Sequence, residues 1–150
     1  MKIDILAAGN LRAGPHYDLA ADYQKRITTP LSITEITSKH RDEKAMQRDE
    51  HQKLEAALKD GAFIIALDER GKTLSSPQFA DIIDRCRNNG TAHMQFIIGG
   101  ANGLSREIRS RANLLLSFGA QTWPHKLARV MLLEQIYRAQ QILAGHPYHK

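Results

Sequence analysis

Apolar and polar positions follow two rhythms along this chain: short runs of branched residues, and longer stretches with an apolar residue every third or fourth position. The opening Lys2-Ile3-Asp4-Ile5-Leu6-Ala7-Ala8-Gly9 is short, carries branched residues and ends in glycine, which predicts a strand running into a loop. A helix follows, because Pro15 suits a first turn and Leu19, Tyr23 and Ile27 recur every fourth residue until Thr28-Thr29-Pro30 breaks the pattern. Leu31-Ser32-Ile33-Thr34 alternates as a second strand. Residues 38–60 hold six basic and six acidic side chains, and only Met46, Leu54, Ala57 and Leu58 offer an apolar stripe. That composition predicts a solvated helix on the domain surface, ending at Gly61, with its charges cancelling and no site of its own.

From residue 62 onward, continuous apolar runs alternate with helical patterns. Ala62–Leu67 reads as a buried strand, and Ser76-Pro77 as a helix start with serine capping and proline in the first helical position. Phe79, Ile82, Ile83 and Cys86 form that helix's inner face, and Asn88-Asn89-Gly90 ends it. Met94–Ile98 is the next strand, Ser105 caps a short helix, Leu114–Leu116 is another strand, and a long helix runs from Pro124 to about Ala144 with Gly145 beyond it. Alternation of this kind predicts an α/β fold with a mainly parallel sheet flanked by helices, in a single domain spanning residues 1–150. In the long helix Leu127, Val130, Met131, Leu132, Leu133 and Ile136 cover more than one face. One side suits the sheet, and the other suggests a second copy of the chain.

Charge refines this picture. The formal net charge is +5; residues 1–100 hold 14 basic and 14 acidic side chains, so the whole excess falls in the last fifty residues. A basic C-terminal third makes a polyanion the first candidate partner. The single cysteine, Cys86, excludes an internal disulfide and a multi-cysteine zinc site. No apolar run approaches the ~18 residues a membrane span needs, and no secretory leader pattern opens the chain, so a cytoplasmic location without membrane contact is expected.

In open α/β sheets, ligands sit beyond the carboxyl ends of the strands, which directs attention to the loops after Leu67, Ile98 and Phe118. Gly99-Gly100-Ala101-Asn102-Gly103 allows a ligand to approach bare backbone, although a tight strand-to-helix turn explains the glycines equally well. The run is neither a dinucleotide fingerprint nor a phosphate loop, and it contains no Lys or Arg. Gly119–His125 holds the only tryptophan beside a proline; read simply, it is a helix entry with Thr122 capping and Pro124 in the first turn. The ending His146-Pro147-Tyr148-His149-Lys150 has the residue types that stack on bases and meet phosphates, yet a solvated tail is the simpler reading. The proline between the two histidines argues against a helical metal-ligand pair, and no metal site is expected.

Five segments in order, K-I-D-I-L-A-A-G-N at the start, A-L-D-E-R-G-K at 66–72 followed by S-S-P-Q-F-A, F-I-I-G-G-A-N-G-L at 96–104, T-W-P-H-K-L-A-R-V-M-L-L-E-Q-I-Y-R-A at 122–139 and the terminal H-P-Y-H-K, resemble the SPOUT-class methyltransferases of the ribosomal RNA large subunit methyltransferase H type. The resemblance covers the full length. Its one departure is the Gly-Gly-Ala-Asn-Gly loop, where proline or alanine followed by an acidic or polar residue is the expected pattern; the glycine frame is intact.

The resemblance implies S-adenosylmethionine-dependent methylation of N3 of a pseudouridine in helix 69 of 23S ribosomal RNA, by a homodimer acting on the assembled ribosome. It also implies a trefoil knot in the C-terminal half, with knot and cofactor pocket within about 62–150. Carried onto this chain, the cofactor contacts fall on Leu67, Gly99, Gly119, Ala120, Gln121, Thr122, Trp123 and Pro124. His125, Arg129, Tyr148 and His149 are the candidates for proton removal and charge stabilisation. Arg138, His146 and Lys150 are the candidate RNA contacts. A ribosome-binding module of the same fold without catalysis, and a SPOUT enzyme acting on tRNA, are the competing expectations.

Overall fold

Five strands carry the branched apolar runs: β1 (Lys2–Ala8), β2 (Leu31–Ile36), β3 (Phe63–Thr73), β4 (His93–Ile98) and β5 (Leu114–Ser117). A computed structural model of the chain, describing residues 1–149, pairs them all in parallel in the order β2-β1-β4-β3-β5. Alternation along the strands sends side chains to two cores. Ile3, Ile5, Ile65, Met94 and Phe96 face α1 (Pro15–Arg26), α3 (Ser76–Asn88) and α5 (His125–Leu143). Leu6, Ile64, Ala66 and Ile97 face α2 (Glu43–Ala56) and α4 (Arg106–Arg111). With both faces covered, the strands read as near-continuous apolar runs, as parallel sheets require. Among the described residues no helix is long and apolar enough to cross a membrane.

Two buried polar side chains tie the α2 face to the sheet. Gln95 accepts from the Lys59 amide at 2.8 Å and donates to the Ala57 carbonyl at 3.2 Å, satisfying backbone groups just past the end of α2. Asp4 accepts from Ser32 Oγ at 2.6 Å and Lys59 Nζ at 2.7 Å. Burial works to raise the Asp4 carboxyl, but the hydrogen bonds from Lys59 and Ser32 and the charges of Lys59 and Lys2 outweigh it and hold the pKa at about 2.

Several elements differ from the sequence expectation, each for a local reason. The N-cap of α3 is Ser75 rather than Ser76: its hydroxyl accepts from the Gln78 amide while the Gln78 side chain accepts from the Ser75 amide, and this reciprocal box outcompetes a cap one residue later. The cap position of α5 is Pro124 itself, with no side-chain cap from Thr122. Helix α2 stops at Ala56, short of Gly61. Strand β3 does not end at Leu67; it rejoins β5 at Lys72 and Thr73 after a register shift, so residues 68–71 form a wide bulge rather than a loop. Leu19, expected on the inner face of α1, is 50% exposed because α1 buries Ala20 instead.

The two-sided apolar surface of α5 has an intramolecular explanation. α5 lies over the sheet and packs laterally against both α1 and α3, burying Val130, Leu132, Leu133, Ile136 and Tyr137. Within one chain α5 is thus covered on two sides, while Leu127 and Met131 are only partly buried.

Candidate active site

Because all five strands run the same way, the bulge after Leu67, the glycine run after Ile98 and the segment after Ser117 meet at one edge of the sheet. There they enclose a cavity of about 670 Å³. Of the eight expected cofactor residues, Leu67, Gly99, Gly119, Gln121, Thr122, Trp123 and Pro124 line it, and Ala120 does not. His125 lines it as well. Asp68, Arg70 and Ala128 belong to the same wall and were not singled out in the sequence, since only the bulge brings residues 68–70 round to face the opening.

Two glycines are sterically required. A Cβ on Gly99 would stand 2.7 Å from the Gly103 carbonyl oxygen and 2.8 Å from its carbon, so the hairpin-like closure between Gly100 and Gly103 leaves room only for hydrogen. A Cβ on Gly71 would stand 2.5 Å from the Leu115 carbonyl carbon, which is how the β3 bulge presses directly on β5. Both contacts are with backbone, and backbone cannot swing aside as a side chain does.

Polar braces fix the rim. Asp68 accepts from the Arg70 amide and Arg70 Nε, both at 2.9 Å, and Arg109 Nε lies 4.0 Å away. Burial works to raise the Asp68 carboxyl, yet the Arg70 hydrogen bonds and the Arg70 and Arg109 charges hold it below its ordinary value. Arg109 also donates to the Leu104 carbonyl, so one guanidinium joins the β3 bulge to the end of the glycine run. From the other side, α2 grips that run. Asn102 donates to Glu43 at 3.3 Å, His51 Nε2 lies 3.2 Å from the Gly103 carbonyl, and Ser105 Oγ donates to Glu55 at 2.8 Å while capping α4. The charged segment 38–60, which composition left without a role, is the clamp on the cavity's glycine wall.

His125 opens α5 and its ring lies against the Gly9 turn, where a Cβ would stand 3.4 Å from Nε2. Burial, reinforced by the charges of Lys126 and Arg129, pulls the imidazole below its ordinary pKa, so it is neutral and able to accept a proton at pH 7. Arg129 does not line the cavity. It is 3% exposed, donates to Glu35 Oε1 at 2.9 Å and to the Gly9 carbonyl at 3.1 Å, and among the described residues its Nε has no partner. The catalytic expectation for Arg129 thus meets a buried brace that holds the Gly9 turn beneath His125.

The tail lies elsewhere. Pro147–His149 form a single 3-10 turn against α5; Tyr148 is half-buried there, while His146, Pro147 and His149 are exposed, as a solvated tail would be. Tyr148 packs edge-on against Tyr137 with ring centroids 4.8 Å apart, and its hydroxyl donates to Glu134 at 3.2 Å. Burial, hydrogen bonding with Tyr23 and the Glu134 charge push its phenol up to about 12, so near neutrality it stays protonated and is no base. Arg138 is engaged with the same Glu134, at 2.6 Å. None of His146, Tyr148, His149 and Arg138 lines the 670 Å³ cavity, and Lys150 lies outside the described residues. A second cavity of about 520 Å³, on the α1, α3 and α5 side of the Leu116–Gly119 segment, is bordered by Leu19, Tyr23, Phe79, Met131 and Glu134. It lacks the glycine run and presents mostly apolar side chains.

The larger cavity suits a ligand of nucleoside size. Its volume falls in the range of small-molecule sites, its glycine wall offers backbone at close quarters, and Leu67 and Trp123 supply apolar surface. Among the described residues no group of three or more His, Cys, Asp and Glu side chains is placed to hold a metal ion.

Comparison with known proteins agrees with this geometry. Residues 1–149 match the family model described as "Predicted SPOUT methyltransferase". The chain is 48% identical over 151 residues to a protein of Rhodospirillum centenum named ribosomal RNA large subunit methyltransferase H, covering 100% of this chain and 99% of that one. A relative of the same name from Dinoroseobacter shibae is also 48% identical, over 158 residues, with the same coverage. Among solved structures, a probable methylase family protein from Haemophilus influenzae Rd KW20 superposes with a TM-score of 0.60 at 12% identity, covering 99% of this chain and 70% of that one, a likeness of fold.

Proposed function

The chain belongs to the SPOUT methyltransferase family, and on that premise we propose that it methylates N3 of a pseudouridine in helix 69 of 23S ribosomal RNA, using S-adenosylmethionine, as a homodimer on the assembled ribosome. The observation that carries this reading is the end-to-end likeness, at 48% identity, to relatives named for methylation of large-subunit ribosomal RNA. The cavity supports it, because the residues the cofactor is expected to touch converge there from three separate loops. A trefoil knot in the C-terminal half belongs to the same reading.

S-Adenosylmethionine, when bound, supplies a methyl group on a sulfonium sulfur. The chain's contribution is placement and proton handling. Leu67, Gly99 and the residues from Gly119 to Pro124 would hold the cofactor, backbone groups reading its polar edge and Trp123 covering an apolar face. Methyl transfer needs donor and acceptor in line, and holding that alignment supplies much of the rate. N3 must also lose its proton. His125, neutral at pH 7 and on the cavity wall, is the group placed to accept it. Tyr148, His149, His146, Arg138 and Lys150 act, in this reading, on the partner protomer's cavity and its RNA, since Tyr148 packs on α5 and neither it nor His146, His149 or Arg138 lines the cavity of its own chain.

Mass spectrometry of ribosomal RNA from a strain lacking the protein tests the reaction: the methylated pseudouridine is expected to disappear, and its persistence overturns the assignment. Deleting residues 146–150 tests the shared site. Turnover is expected to collapse while the fold survives, and unchanged turnover rejects the role of the tail.

A further inference from the structure

The last third of the chain carries the formal charge excess, but the fold consumes most of it. Arg109 faces Asp68, Arg111 lies 3.7 Å from Asp60, Arg129 is bound to Glu35 and Arg138 to Glu134. Three of these four acids come from the first hundred residues. Cations left for a polyanion must therefore be sought where the neighbouring acids are already engaged by other groups.

The segment from the end of β2 into α2 is such a place. Asp42 caps α2 by accepting from the Ala45 amide at 2.8 Å, and Glu43 is engaged with Asn102. Asp49 is paired with Lys53 at 2.8 Å, and Lys53 also donates to the Thr37 carbonyl. Glu50 is directed at the glycine run, its Oε2 3.1 Å from where a Gly100 Cβ would be, and burial pushes its carboxyl up. Glu55 accepts from Ser105, and Asp60 faces Arg111. Lys39, His40, Arg41, Lys44 and Arg48 are all exposed, and among the described residues no ion pair is recorded for them. Asp42, Glu43 and Asp60 stay exposed but are engaged by the Ala45 amide, Asn102 and Arg111; Asp49, Glu50 and Glu55 are half-buried; and Lys39, His40, Arg41, Lys44 and Arg48 remain exposed.

Geometry connects this surface to the cavity. Lys44, Arg48 and His51 are spaced i, i+4, i+7 and so share one stripe of α2, and His51 sits at the Gly103 carbonyl of the cavity's glycine wall. Lys39 and Arg41 lie in the loop between β2 and α2, at the carboxyl edge of the parallel sheet, the edge on which the cavity opens. Resting on the reading of the substrate as ribosomal RNA, we propose that Lys39, Arg41, Lys44 and Arg48 form a docking surface for the phosphate backbone of that RNA, guiding it across α2 to the glycine rim. Exposed cations on flexible stems suit phosphate contacts, which position a nucleic acid without reading its sequence.

A charge-matched pair of double variants tests the surface. Lys44→Gln/Arg48→Gln removes two charges from the stripe. Lys25→Gln/Arg85→Gln removes two from the last turns of α1 and α3, at the opposite edge of the sheet. Binding of each full-length protein to purified ribosomes is measured across salt concentrations, alongside calorimetry with S-adenosylmethionine and light scattering for mass. The stripe variant is expected to bind roughly tenfold more weakly at low salt, with the salt slope smaller by about 2. Its cofactor affinity and mass should be unchanged, and the control should bind within about twofold of the parent. Equal losses in both variants, an unchanged slope in the stripe variant, or a change in its mass overturns the proposal. Absence of methyl transfer by the parent protein would overturn the reaction while the salt slopes still decide the surface.

Discussion

Arg129 Nη1 donates to Glu35 Oε1 across 2.9 Å, joining α5 to β2 through residues 94 positions apart. Glu35 accepts at the same oxygen from the Leu11 amide at 3.0 Å, and Arg129 reaches the Gly9 carbonyl, so one ion pair fixes both ends of the turn that follows β1. The partners are unequal: the arginine side chain is 3% exposed and the glutamate 25%. Glu35→Ala should destabilise the protein by about 3 kcal/mol, because it strands a buried guanidinium. Arg129→Met leaves a carboxylate that water can reach and should cost about half as much. Urea denaturation of both variants checks the order; equal losses, or a larger loss for Arg129→Met, would contradict it.

His125 sets the expected pH dependence of turnover. Its imidazole must be neutral to accept a proton, and burial with the charges of Lys126 and Arg129 keeps its pKa below the ordinary value of 6.5. The rate should rise with pH through an apparent pKa under that value and be level at neutrality. Lys126→Gln removes a repelling charge and should move the acid limb upward. His125→Gln should lower kcat by about 100-fold. A pH–rate profile that Lys126→Gln leaves unmoved would remove His125 from the proton path.

Gly99 and Gly71 separate cofactor binding from folding. Gly99→Ala places a methyl group against the Gly103 backbone within the cavity wall, so S-adenosylmethionine affinity should fall at least tenfold while the sheet persists. Gly71→Ala instead forces β3 away from β5 and should cost about 1–3 kcal/mol of stability. Calorimetry and thermal melts on the two variants distinguish the effects; a Gly99→Ala protein with parental affinity would mean that the glycine run does not shape the ligand site.

Asp4 predicts an acid limb of stability. Its folded pKa of about 2 lies below the ordinary 3.8, so its contribution is fully present above about pH 4 and is lost as the pH falls through 2. On that shift, the carboxylate contributes on the order of 2 kcal/mol at neutral pH. Asp4→Asn should flatten the fall in stability between pH 4 and 2. Denaturation at pH 3 and pH 7 measures it, and an Asp4→Asn protein that retains the parental slope would assign the acid limb to other groups.

Much of the architecture was legible because it depends on local physics. Branched apolar runs marked all five strands, Ser105 and Gly145 marked helix ends, and the three loops beyond Leu67, Ile98 and Phe118 marked the cavity, since a parallel sheet gathers its carboxyl ends on one edge. The bulge at 68–71 was not legible: nothing in the composition of Asp68-Glu69-Arg70-Gly71 says that β3 will rejoin β5 four residues on. Nor was the work of Arg129, because an arginine in a basic segment reads as available until its carboxylate partner, 94 residues away, is brought beside it.

Charge marks the boundary most sharply. The sequence by itself determined how many cations and anions the chain has and that their excess lies in residues 101–150. Which of them face water was decided only by tertiary structure. Folding set Asp68, Asp60 and Glu35 against Arg109, Arg111 and Arg129, and turned Glu43, Glu50 and Glu55 of α2 toward the glycine run. Electrostatic pairing acts across a few ångströms of space and carries no trace in sequence separation, so a segment that is neutral in sequence presents the exposed cations and the basic third is largely spoken for.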